Sequence, residues 1–84
     1  MDWLKKYFGK DDMDFLSPTI IEQGKKKAIV RLTRTGSRGF SGIGYILVDM
    51  NGRHSVSAHK SLHEGVPSAA DMERMKLQLK KEDA

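Results

Sequence analysis

The residues best suited to chemistry are cationic, and they cluster. Lys25, Lys26, Lys27, Arg31 and Arg34 stand against a single carboxylate, Glu22, over residues 17–36, a local net charge of +4. Ser37 and Arg38 continue the run, and Arg53 returns to it if the intervening strands pair as hairpins. Lys neutralises a phosphate as a point charge and Arg grips one through its planar fork. The stretch Thr35-Gly36-Ser37-Arg38-Gly39 adds hydroxyl and amide donors with little bulk, and amides converge on an oxyanion where no Cβ obstructs them. The chemistry implied is anion binding, with Lys25, Lys26, Lys27, Arg31, Arg34, Ser37, Arg38 and Arg53 as its candidates. Phe40 and Tyr45 have rings that can stack on bases, the device of single-strand binders. Rings of that size more often fill the core, where both are expected. No aromatic residue lies between Ile20 and Arg38, so stacking does not accompany the basic run.

Other chemistries find less support. His54, His59 and His63 lack a Cys, and only Glu64 stands near them as a further ligand; ordinary surface histidines are expected, without a bound metal. Asp11, Asp12 and Asp14 lack the Gly and distal Glu of a calcium loop. No nucleophile elbow surrounds any Ser, and Gly36-Ser37-Arg38-Gly39 lacks the Gly-Lys-Ser/Thr ending of a nucleotide-binding loop. A chain of 84 residues leaves little room for a deep pocket. Neither an enzyme nor a cofactor site is expected.

Charge by segment sharpens the picture. The whole chain carries +4, yet residues 1–16 and 61–84 each sum to −1, and residues 37–60 to +2. The basic bias therefore belongs to the middle, where strands are expected. No apolar run approaches the ~18 residues of a membrane span, and Lys or Asp interrupts every apolar pair up to Leu16, unlike a signal peptide. A cytoplasmic protein without membrane contact is expected.

These residues need elements to position them. Trp3, Leu4, Tyr7 and Phe8 share one face of a short helix over residues 2–10, stopped by Gly9. That face is expected to pack on the core, since two turns beside Lys5 and Lys6 make a weak membrane anchor. Asp11 to Asp14 reads as a polar connection, and Phe15 to Glu22 as extended chain that Pro18 confines to a sheet edge. Gln23 to Lys26 is a turn. Lys27 to Arg34 alternates as a half-buried strand should, with Ala28, Val30 and Leu32 on one side. Phe40 to Asp49 is apolar on both faces in its second half, as in a central strand. Asn51-Gly52 predicts a type I′ hairpin with a returning strand over Arg53 to His59. Lys60 to Pro67 is then a connection. Ser68-Ala69-Ala70-Asp71 resembles a capping box and opens a last helix with a stripe of Ala69, Met72, Met75 and Leu79.

The expected fold is α+β, a single domain over residues 1–84: a short N-terminal helix, a three- to four-stranded antiparallel sheet, and a C-terminal helix packed on one sheet face. The two helices are expected to share that face, with residues 80–84 disordered. So small a domain without disulfides has a marginal core, which leaves a partner or a homodimer as the remaining staple.

Phe40-Ser41-Gly42-Ile43-Gly44 looks like the third-strand pattern of double-stranded-RNA-binding domains, whose helix, strands, helix order is similar. That family grips phosphates with a Lys-rich start to its last helix. Here the start is Ser68-Ala69-Ala70-Asp71, and an extra hairpin intervenes, so the family is not carried over. The sequence implies a small basic non-enzymatic module contacting DNA or RNA phosphates through a basic strand-loop-strand surface. The alternative is a protein-binding regulator or inhibitor, of phage or mobile-element type, that docks on an acidic protein surface.

Overall fold

The computed structural model describes residues 2–35, 41–52 and 60–84. Its elements run α1 (Asp2–Leu16), β1 (Thr19–Gln23), β2 (Lys27–Thr35), β3 (Ser41–Asp49), β4 (Lys60–Glu64) and α2 (Ala69–Asp83). The strands form one antiparallel sheet in the order β1-β2-β3-β4.

The α1 face is the one its spacing predicts: Leu4, Tyr7 and Phe8 are buried. Gly9 does break the helix, with φ 77 and ψ 170, but the chain then turns helical again up to Leu16. The expected connection over Asp11 to Asp14 is thus a second helical segment. Its gain is apolar contact, because Met13 and Leu16, three apart, both pack against the core cluster that holds Leu4 and Phe8. Ser17, at φ 43, ends it by donating its amide to the Met13 carbonyl. Pro18 then prevents any continuation, and β1 begins at Thr19 rather than Phe15.

Pairing between β2 and β3 is unbroken from Lys27↔Asp49 to Thr35↔Ser41. Alternation gives each strand two apolar faces. Ala28, Val30, Ile46 and Val48 meet Leu4, Tyr7 and Phe8 on one side. Ile29, Tyr45 and Leu47 meet Met75 and Leu79 of α2 on the other. The helices therefore cover opposite faces instead of sharing one. A sheet apolar on both sides needs a cover on each. Tyr45 is core, as expected, whereas Phe40 lies outside the described residues.

Two turn assignments change. At the end of β3, Asp49 accepts the Gly52 amide through its carbonyl and the Asn51 amide through Oδ1. Neither Asn51 nor Gly52 takes the positive φ that a type I′ turn requires. The strand that returns to β3 is Lys60–Glu64, inside the stretch expected to be a connection; the strand expected over Arg53 to His59 falls outside the described residues. A register shift between Tyr45 and Ile46 marks a bulge, and Leu62 joins the α2-side cluster there.

The start of α2 matches its sequence signal. Ser68 is the N-cap, its side chain accepts the Asp71 amide, and the Asp71 carboxylate accepts the Ser68 amide. At the other end α2 runs on to Asp83, through residues expected to be disordered. Lys80 and Lys81 suit the negative helix end, and Asp83 is held by contacts described next. Among the described residues, no helix is long and apolar enough to cross a membrane.

Candidate anion-binding site

The turn between β1 and β2 is where the backbone itself binds an anion. The amide of Gly24 donates to the Lys27 carbonyl at 2.8 Å, closing the turn. That closure points three successive amides outward to one spot. Lys25 donates to Asp83 Oδ2 at 3.0 Å, and Lys26 and Lys27 donate to Asp83 Oδ1 at 2.7 and 2.8 Å. Consecutive amides converging on one carboxylate form the concave arrangement that also holds phosphates. Hydrogen bonds to the ionised form favour it, so those from Lys25, Lys26 and Lys27 hold the Asp83 carboxyl below its usual range. Gly24 makes room: a Cβ there would stand 2.7 Å from the Asp83 carboxylate.

The same end of the sheet gathers further charge. Lys27 pairs with Asp49, the Met50 amide donates to the Lys26 carbonyl, and β4 starts beside it with Lys60 paired to Leu47. Lys60 Nζ lies 3.5 Å from Glu82 Oε1. The Glu82 carboxyl is held low first by the hydrogen bond from Gln78 Nε2, then by Lys60 and Lys27. Through Asp83 the last turn of α2 brings Lys80 and Lys81 to this end. Lys25, Lys26, Lys60, Lys80 and Lys81 are all exposed. Lys60, Lys80, Lys81 and Asp83 were no part of the basic run in the sequence, and no local signal marks them; only the docking of α2 gathers them.

The arginines go elsewhere. Arg34 stands seven residues beyond Lys27 along β2, about 23 Å at strand spacing. It is exposed and lines a groove of about 550 Å³ with Leu16, Leu32, Gly44 and Glu64, beyond the end of α1. Alternation puts Arg31 on the α2 side with Ile29, half-buried between Thr19 and Tyr45 in the register, and its buried Nε has no hydrogen-bond partner among the described residues. Arg31 and Arg34 thus face opposite ways, and neither sits with the lysines. Ser37, Arg38 and Arg53 lie outside the described residues.

The third site of interest joins β4 to α2. His63 Nε2 is 3.2 Å from Asp71 Oδ2, and Nδ1 is 3.3 Å from the Gly65 carbonyl. Both ring nitrogens face oxygen acceptors. Asp71 also receives Arg74. Among the described residues, no group of three or more His, Cys, Asp or Glu could hold a metal; His54 and His59 lie outside them. Compared with known protein families, curated proteins and solved structures, the chain matches no family model and resembles no curated protein or solved structure significantly.

Proposed function

We propose that this chain is a small non-enzymatic binding module that contacts nucleic-acid phosphates through the lysine-bearing end of its sheet. The observation that supports this reading is a turn of Lys25, Lys26 and Lys27 whose amides already hold a carboxylate, with Lys60 and the last turn of α2, which carries Lys80 and Lys81, at the same end of the sheet. Phosphate contact of this kind positions a strand without reading its bases, in keeping with a basic run that has no interleaved aromatics.

Fluorescence anisotropy with single- and double-stranded DNA and RNA at two salt concentrations tests it. Engaging about four phosphates gives a log–log salt slope of about −3.6 on duplex DNA and about −2.8 on single strands. Lys25→Glu with Lys26→Glu should abolish binding, and Lys80→Glu with Lys81→Glu should weaken it. Arg34→Glu, at the far end of β2, should change little. Absence of binding to every oligonucleotide at low salt would sink the reading. A second reading, docking on a partner protein, draws on the part-apolar groove beside Arg34. Capture of a specific partner that survives high salt and is lost with Arg34→Glu would favour it.

A further inference from the structure

We infer that the β1–β2 turn is a seat for a tetrahedral oxyanion, phosphate or phosphate ester, and that Asp83 of this same chain occupies it as a built-in competitor. The inference rests on the phosphate-contact reading above and adds its regulation: the Asp83 carboxylate must release the three amides before an external anion can enter.

The geometry of the contact carries this. Three successive amides meet two oxygens of one carboxylate, a donor set that the oxygens of a phosphate match equally well. Gly24 leaves the seat open on the side where any side chain would strike the occupant. A purely structural staple between α2 and the turn would need these amides and nothing more. The lysyl side chains at 25, 26 and 27 are superfluous to such a staple, whereas they suit a ligand that brings more than one negative charge. The occupant is also well placed to leave. Its hold is three exposed or part-buried hydrogen bonds, which open more readily than a packed core. Met75 and Leu79, which anchor α2 on the sheet, lie a turn or more earlier. Vacating the seat therefore costs a local opening and spares the core.

An intramolecular competitor lowers apparent affinity by the fraction of time that the seat is open. Titration of the isotopically labelled protein with inorganic phosphate, followed at the backbone amides of Lys25, Lys26 and Lys27, reads this directly. Asp83→Ala should bind about tenfold tighter or better than the wild type, the gain expected if the seat is open about a tenth of the time or less. Glu73→Gln, which changes the net charge equally from an exposed site on α2, should behave as wild type. Adding Gly24→Ala to Asp83→Ala should cancel the gain, since the new methyl crowds the seat. Equal affinities for wild type and Asp83→Ala, or an equal gain with Glu73→Gln, would overturn the inference. If Asp83→Ala does not fold, the wild type decides. Its Asp83 carboxyl carbon resonance must move in step with the three amides at millimolar phosphate, and a carboxyl that stays fixed overturns the inference. Oligonucleotide binding separates the two proposals. Wild-type binding that depends on Lys25 and Lys26 but gains nothing from Asp83→Ala leaves phosphate contact standing without the competitor. A phosphate gain without oligonucleotide binding leaves the seat standing and removes nucleic acid as its ligand.

Discussion

Asp71 serves three partners with one carboxylate: the Ser68 amide that completes the cap of α2, Arg74 one turn on, and His63 on β4. Its pKa falls from the usual 3.8 to about 2, chiefly through the Ser68 amide, then the Ser68 hydroxyl and Arg74. A carboxyl whose pKa is lower folded than unfolded binds its proton more readily in the unfolded chain. Its stabilising contribution is thus complete above about pH 4 and fades as pH falls towards 2. Asp83, lowered in the same direction by the amides of the turn, likewise loses its contribution as pH falls below the ordinary carboxyl range. Thermal melts between pH 5 and pH 2 should show a falling Tm in the wild type and a flatter profile in Asp71→Asn. Ser68→Ala removes the hydroxyl half of the cap and should cost about 0.5–2 kcal/mol in urea unfolding. This capping box was legible in four consecutive residues because it is local chemistry. The seat filled by Asp83 was not, because its amides and its carboxylate lie 56 to 58 positions apart.

Among the elements, α1 owes its shape to Gly9. At φ 77 and ψ 170 the residue occupies a region essentially closed to side chains. Gly9→Ala should therefore cost about 1–3 kcal/mol, measured by urea unfolding, or straighten the helix at the expense of the Met13 and Leu16 contacts. The glycine was readable as a break; the helix beyond it was not, since Asp11, Asp12 and Asp14 look like loop until Met13 and Leu16 find the core. The alternation of β2 is the clearest strand signal, and its Ala28, Val30 and Leu32 side does face the core. The strand expected to be half-buried is, however, covered on both faces, with Ile29 buried under α2. β4 carries no strand signal of its own, because Lys60-Ser61-Leu62-His63-Glu64 offers one large aliphatic side chain and its place is set by pairing with β3. Asn51-Gly52 is a strong turn signal in isolation, and a turn does form there. Its type was decided instead by the Asp49 side chain, which captures the Asn51 amide.

For the whole molecule, the decisive fact is a sheet with both faces covered. Ile29 is fully buried under α2 and Val30, its neighbour, fully buried under α1. Ile29→Ala should cost about 2–5 kcal/mol. A domain of this length has about 4–13 kcal/mol in total, so the loss is a large share of it and chemical denaturation should show a clearly lowered midpoint. The opposite placement of the helices was hidden because a strand apolar on both sides does not say which helix takes which face. Charge was legible only as a sum. The run from Lys25 to Arg34 looked like one surface, but strand geometry spreads it over two faces and two ends, while docking of α2 brings Lys80 and Lys81 to the lysine turn. The alternating sheet could be read from sequence; a surface assembled from distant segments could not.

The bridge from the Lys25–Lys27 amides to Asp83 also orders events in time. It spans most of the chain, so its loop-closure cost falls due only after β2 has paired and α2 has packed. Those amides therefore act as a clock on helix docking. In hydrogen exchange they should gain protection last during refolding and lose it through brief local openings in the native state. Ile46 and Leu47, in the strand between β2 and β4, should exchange only when the molecule unfolds altogether. Exchange in that order would make a contact that reads as a clasp in the static structure the final step of assembly and the first to reverse.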